Sequence, residues 1–311
     1  MALLDGKVAI VTGAGRGIGR GEALALAAEG AQVVVNDVGG ARDGTPTDER
    51  PAQQVVAEIE AAGGAAVANY DDISTWDGAA TIVEQAVEAF GALDILVNNA
   101  GILRDKMSFN MEEADWDSVI AVHLKGHFAT SHHAARYWRA RAKAGQPTSG
   151  RIINTSSESG LFGNPGQANY AAAKAGIAAL TIVLARELQK TNVTVNAIAP
   201  RALTRMTEDL MGGLVGDLAP DQFNPVDPEN VAPLVTWLAS DEAAHVSGQL
   251  FIVWGSEILL TRPYEIVGGI DAGGRRWRVD ELTEATKELF TQRDPGVPAF
   301  GVPDARTPTA G

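Results

Sequence analysis

The 311-residue sequence predicts an α/β protein: a doubly wound parallel sheet of about seven strands with helices on both faces. Two observations carry that expectation. Short apolar runs bounded by turn residues alternate along the chain with longer segments of helical periodicity. The first run leads directly into a glycine-rich turn, TGAGRGIG at 12–19, and then into a helix.

Residues 7–11 read as a buried strand between Gly6 and Thr12-Gly13. Residues 22–30 read as a helix that Gly30 ends, and 32–36 as a second buried strand, closing a βαβ unit whose parallel strands must be covered on both faces. A helix over 52–62, a strand over 66–69 and a helix over 75–90, capped by Ser74, continue the alternation. The fourth strand, 94–97, runs into NNAG at 98–101. Residues 111–144 are helical with a break near Lys125-Gly126. Strands over 151–155, 193–197 and 250–254 and a helix over 168–189 complete the pattern. Such sheets take their ligands at the carboxyl ends of the strands. The expected organisation is one catalytic and cofactor-binding domain over 1–262 with a C-terminal extension over 263–311. The extension holds one amphipathic helix, 280–290, and a loosely ordered Pro/Gly end from Asp294. A polar Gly/Pro-rich loop over 39–51 is a second addition.

A net charge of −14 and a pI near 4.8 argue against nucleic-acid and anionic-membrane surfaces as partners, since both would repel the molecule. The absence of cysteine excludes disulfides and thiolate chemistry. The opening MALLDGKVAIV lacks the basic and long apolar regions of a signal peptide, and no apolar run is expected to approach the roughly 18 residues of a membrane span. The end, PTAG, carries no targeting address. A soluble cytoplasmic protein is expected.

The turn at 12–19 is expected to cradle a pyrophosphate. Gly13 permits the tight turn, Gly17 admits the phosphates to the backbone, and Gly19 lets the helix pack closely; Gly15, Arg16 and Ile18 lie between them. Asp37, at the end of the second strand, would accept hydrogen bonds from ribose hydroxyls and repel a 2′-phosphate, which favours NAD as cofactor. Arg42 in the following loop could instead serve NADP. Asp72 and Ile73 after the third strand would flank the adenine, although Asp72 reads equally well as a helix cap. Tyr170 and Lys174, four residues apart, share a helix face, where an ammonium would pull the phenol pKa down from about 10. Ser157 beside them could hydrogen-bond the same substrate oxygen. Together they form a proton-transfer device for a carbinol or carbonyl.

TGAGRGIG, NNAG, a Ser thirteen residues before Tyr, and YAAAK, each in its place over about residues 5–260, resemble the short-chain dehydrogenase/reductase family. Within it, VNDVGG (35–40), VANYD (67–71), NNAGILRD (98–105), AVHLKG (121–126), GNPGQANY (163–170) and RMT (205–207) resemble a narrower group. These are the (3R)-hydroxyacyl-CoA dehydrogenase units of peroxisomal multifunctional enzymes type 2, also called 17β-hydroxysteroid dehydrogenases type 4. The resemblance implies a Rossmann fold and a free-standing bacterial relative without hydratase or sterol-carrier domains. It implies that Ser157 orients the substrate oxygen, Tyr170 exchanges the proton, and Lys174 lowers the Tyr pKa and holds the nicotinamide ribose. Asn99, Ala100 and Gly101 would line the adenosine side of the cleft, and backbone from Pro200 through Leu203 to Thr204 would meet the nicotinamide amide. Arg201 stands where most of the family has Gly. His123 stands where the wider family often has Asn and the type 2 multifunctional group resembles this chain in having His; it either supports a proton relay or is an ordinary packed histidine.

His123, His127, His132 and His133 have a spacing that could suggest a metal, but hydride transfer needs none and no acidic ligand recurs on their face, so no metal is expected. Ile177, Leu180, Leu184 and Leu188 read as core or subunit interface, which suggests a homodimer or homotetramer. Residues 203–218 read either as a Met-containing substrate lid or as a surface loop-helix. The expected reaction is NAD-dependent oxidation of a secondary alcohol, most specifically a (3R)-hydroxyacyl-CoA in fatty-acid or sterol side-chain β-oxidation. The alternatives are a 17β-hydroxysteroid substrate, or 3-oxoacyl reduction in the biosynthetic direction.

Overall fold

A computed structural model describes residues 2–45, 50–204, 222–262, 264–291 and 297. The chain divides into two compact units, residues 1–260 and 261–311. In the first, eight strands form one sheet in the order β3-β2-β1-β4-β5-β6-β7-β8. These are β1 Val8–Thr12, β2 Gln32–Asn36, β3 Ala66–Asn69, β4 Ile95–Asn98, β5 Gly150–Thr155, β6 Val193–Arg201, β7 Leu250–Trp254 and β8 Glu257–Leu260. All neighbours pair in parallel except β7 and β8. The eighth strand was not expected. It is short, largely exposed and joined to β7 by Gly255-Ser256, so it lacks the buried apolar run that marks the other strands.

Side chains alternate across the sheet and feed two cores. Ala9, Val11, Val33 and Val97 join Leu26 of α1 (Gly17–Ala28) and Ile59 of α2 (Pro51–Ala61) on one face. Val8, Ile10, Val34 and Leu96 meet Ile82 of α3 (Trp76–Phe90) and Trp138 on the other. This two-sided burial explains why the strands read as continuous apolar runs.

The long helical stretch 111–144 is α4 (Glu113–Ile120) and α5 (Gly126–Lys143), separated by a π turn over Ala121–Lys125. The break falls where it was expected. Thr75 rather than Ser74 caps α3, its hydroxyl accepting from Gly78 N–H at 3.0 Å. Helix α1 begins at Gly17, five residues before its expected start, because Gly17, Gly19 and Gly21 weaken the sequence signal of its first turn. A short α6 (Glu158–Phe162) precedes α7 (Ala168–Leu188), and α8 (Ala232–Ala239) packs against α1.

By length and composition, Ala168–Thr191 is long and apolar enough to cross a membrane, which corrects the reading that no run approached that length. The small residues between its leucines disguise it. Its Ile177, Leu184 and Leu188 are buried within the unit. In the second unit, residues 261–311, α9 (Val279–Leu289) matches the expected amphipathic helix, and Arg275 pairs with Glu281 near its start. Of the expected lid over 203–218, residues 205–218 lie outside the described residues, as does the chain end beyond 297.

Candidate active site

Strand β1 ends in Thr12, and Gly13 turns the chain at φ +63° with its α-carbon face almost touching Ala100. A Cβ on Gly19 would overlap the Asn99 side chain and the Gly13 carbonyl. The NNAG segment locks the turn from the other side. Asn99 Nδ2 donates to Thr12 O at 3.0 Å and Gly13 O at 3.1 Å, while the N–H groups of Asn99 and Ala100 donate to Thr12 Oγ1. Asn99 and Ala100 thus shape the turn itself.

Asp37 reaches this turn. Gly15 N–H donates to its Oδ2 at 2.9 Å and Gly39 N–H to its Oδ1 at 2.8 Å, so the carboxylate sits at the mouth of the glycine loop. The loop after Asp37 folds towards residues 102–104, where Leu103 N–H donates to Arg42 O and Arg104 Nε to Asp43 O. The Arg42 charge acts on Asp105. Asp72 Oδ1 accepts from Ser74 N–H at 2.8 Å and so shapes the start of α3, while Ile73 is buried in the core against Gly126. Opposite the turn, Pro200 and Arg201 end β6, and Leu203 is held by Val226 O at 2.7 Å. A Cβ on Gly17 would lie 3.5 Å from Thr204 Cγ2, so the exit of β6 overhangs the turn's helix start.

The end of β5 gathers the polar group predicted from YAAAK. Lys174 is buried, and its ammonium donates to Thr155 O at 2.6 Å. Its Nζ lies 5.4 Å from the Tyr170 ring centroid. Ser156 Oγ donates to Lys174 O at 2.9 Å. Ser157 caps α6, accepting from Ser159 N–H at 3.2 Å, and its hydroxyl lies beside the Tyr170 phenol, where it favours the phenolate. The structure therefore brings Ser157, Tyr170 and Lys174 together at the carboxyl end of the sheet.

Their electrostatics differ from the sequence reading in one respect. The Tyr170 phenol is not lowered but pushed up to about 12, chiefly by burial, with the hydrogen bond from Ser157 opposing and the Asp105 charge reinforcing the rise. Burial also pulls Lys174 down to about 7. At neutral pH the ammonium expected to acidify the phenol is thus itself only partly charged, and desolvation wins over the cation.

His123, in the π turn, is buried edge-on to the Tyr170 ring at 5.1 Å between centroids. A Cβ on Gly101 would overlap its imidazole, so that glycine makes room for it. Its Nε2 meets Ile102 N at 3.0 Å and Ile102 O at 2.8 Å, the tautomer deciding which bond forms, while Nδ1 is buried without a partner. Burial, followed by the Lys174 charge, holds the ring well below the usual histidine range, and hence neutral. His132 and His133 pack against Trp76, the first tilted and the second edge-on. Among the described residues no three metal-binding side chains converge.

Sequence reasoning missed the frame around Tyr170. Gln167 donates to Asp105 Oδ2 at 2.7 Å and accepts from Ser159 Oγ at 2.7 Å. Asn169 Nδ2 donates to Arg104 O and Asp115 O. Both residues stand in the GNPGQANY motif and Asp105 in NNAGILRD, so the signal was present, although only the fold shows what each side chain holds.

A glycine turn of the dinucleotide kind, sharing the carboxyl edge of the sheet with a half-buried Tyr and a buried Lys, defines the class: an oxidoreductase that works with a nicotinamide dinucleotide. The profile of the short chain dehydrogenase family matches residues 7–211, and the chain belongs to that family. It is 50% identical over 298 residues to the hydroxyacyl-CoA dehydrogenase ChsB1 of Mycobacterium tuberculosis, covering 94% of this chain and 91% of that one. It is 44% identical over 266 residues to the peroxisomal multifunctional enzyme type 2 of Mus musculus, covering 86% of this chain and 34% of that longer one. The crystal structure of a short chain dehydrogenase from Mycobacterium avium superposes with a TM-score of 0.85 at 52% identity, covering 96% of this chain and all of that one.

Proposed function

We propose that this oxidoreductase uses NAD to oxidise a (3R)-hydroxyacyl-CoA to the 3-oxoacyl-CoA. The observation that carries the chemistry is the Lys174 ammonium 5.4 Å from the centre of the Tyr170 ring, one helical turn on, with Ser157 beside the phenol and the glycine loop at the same carboxyl edge of the sheet. The acyl-CoA class is supported by similarity to relatives named hydroxyacyl-CoA dehydrogenase and multifunctional enzyme type 2. NAD is supported by Asp37, whose carboxylate at Gly15 would repel a 2′-phosphate.

When bound, the dinucleotide supplies the hydride acceptor. The residues of the chain do the rest. Ser157 Oγ holds the carbinol oxygen, and Tyr170 takes its hydroxyl proton. Lys174, fixed on Thr155 O, keeps further ammonium N–H groups for the ribose. Gly13, Gly15, Arg16, Gly17, Ile18 and Gly19 would hold the dinucleotide's pyrophosphate, and Asp37, Asp72 and Ile73 would serve its adenosine. Asn99, Ala100 and Gly101 would line the cleft, and Pro200 and Leu203 would meet the nicotinamide. His123, neutral and ring-edge to Tyr170, is a packing partner that keeps a polar nitrogen near Lys174. The catalytic domain spans 1–262, with 263–311 as an appended segment, and the protein works in the cytoplasm as a homodimer or homotetramer. Light scattering on the purified chain reads the assembly.

The test is NADH production from R- and S-3-hydroxyacyl-CoAs of several lengths, from free steroid alcohols, and with NADP in place of NAD. The expected result is turnover of the R series with NAD. Faster turnover with NADP would instead support the reductive direction, which Asp37 opposes. Tyr170→Phe should lower kcat by about a thousandfold or more while NAD binding changes by about threefold at most. Substantial residual turnover would remove Tyr170 as the base.

A further inference from the structure

Arg201 follows Pro200 at the end of β6, and it is not idle. Its Nε pairs with Glu158 Oε2 and its Nη2 donates to Glu158 Oε1 at 2.7 Å, a two-point fork on one carboxylate. The same guanidinium lies 4.8 Å from the centre of the Trp254 indole, its neighbour across the β6–β7 pair. The Glu158 side chain is only 12% exposed and that of Arg201 25%, so the pair is shielded from the solvent that weakens surface ion pairs. Glu158 is the residue directly after Ser157 and the first of α6, a five-residue helix. The carboxyl ends of β6 and β7 therefore grip the segment that carries the Ser157 hydroxyl.

We propose that Arg201 is a positioning residue for Ser157. Its fork on Glu158 and its stack on Trp254 fix the start of α6 relative to the sheet. They also neutralise a carboxylate one residue from the oxygen that Tyr170 shares with Ser157. A helix this short has little stability of its own, so its first residue must be held from outside. A planar fork with a flat face does this at one carboxylate and one ring together, which a lysine does not. The inference rests on the reading of Ser157 as the group that holds the substrate oxygen.

The test uses the full-length chain with Arg201→Met, which keeps the apolar stem, alongside Glu158→Gln and the double variant. Each single variant should lower kcat about tenfold, with KM and NAD affinity within about threefold, since the loss lies in alignment at the reacting oxygen. The double variant should lose no more than the worse single one. In Arg201→Met the acid limb of the pH–rate profile should move to higher pH, because the unneutralised carboxylate disfavours charge on the phenol; in the double variant it should return. A purely structural role would move the melting temperature and leave that limb in place.

Kcat and pH limb in Arg201→Met within about twofold of the parent would overturn the proposal, whatever the melting temperature. If Arg201→Met does not fold, Arg201→Lys decides: reduced kcat with an unmoved limb supports the fork, and parental kcat refutes it. Amide exchange of residues 157–163 needs no substrate and should quicken in Arg201→Met. If the parent fails to oxidise any hydroxyacyl-CoA yet exchange quickens, the substrate assignment falls and the clamp stands. If the parent turns over and neither kcat nor exchange responds, the clamp falls and the assignment stands.

Discussion

Tyr170, the base of the proposed reaction, is held back by the folded protein. Burial raises its phenol to about 12, the Asp105 charge adds to the rise, and only the Ser157 hydrogen bond pulls the other way. A residue that must accept a proton works better as its pKa approaches the medium. Asp105→Asn removes the opposing charge, so the acid limb of kcat/KM should shift to lower pH by about half a unit, and turnover near neutrality should rise. A pH–rate series on the two proteins reads this directly; an upward shift would show that Gln167, released from Asp105, matters more than the charge. Gly101 presents a second single-residue case. A methyl there would overlap the His123 ring, so Gly101→Ala should cost about 1–3 kcal/mol in denaturant unfolding. Combining it with His123→Ala should recover most of that loss.

At the scale of elements, the sequence was most legible where one side chain type signals one geometry. The glycine turn, the break near Lys125-Gly126 and the pairing of Tyr170 with Lys174 were all readable, because helical spacing and backbone freedom are local properties. What escaped was decided elsewhere in the chain. Strand β8 forms because β7 offers it an edge, and α6 because Arg201 and Ser157 hold its first turn. The depression expected for the Tyr170 phenol failed for the same reason: spacing reveals a neighbouring cation, but not how deeply the pair is buried. Caps belong to this scale as well. Thr75→Ala should destabilise α3 by about 1 kcal/mol, seen as a lower melting temperature without change in NAD affinity.

At the scale of the whole molecule, the acidic balance hides one carboxyl that is not a surface charge. Glu22 is fully buried on α1, neither oxygen has a partner, and burial pushes its carboxyl up to about 8. Between about 4.5 and that value the folded state keeps a proton that the unfolded chain releases, so this contribution to stability falls as pH rises, by up to about 1.4 kcal/mol per unit. Glu22→Gln should abolish that slope, and chemical denaturation of both proteins from pH 5 to 8 should show their curves diverging. One further property follows from the carbonyl of Thr155. It tethers the Lys174 ammonium, and two residues past the strand's end the chain reaches Ser157; Tyr170 stands one turn before that lysine. Serine and lysine are thus suspended from a common hook, with tyrosine on the same rod. When the helix slides or the sheet twists in thermal motion, all three should drift as a unit, so their mutual spacing should survive deformations that would scatter groups mounted on separate supports.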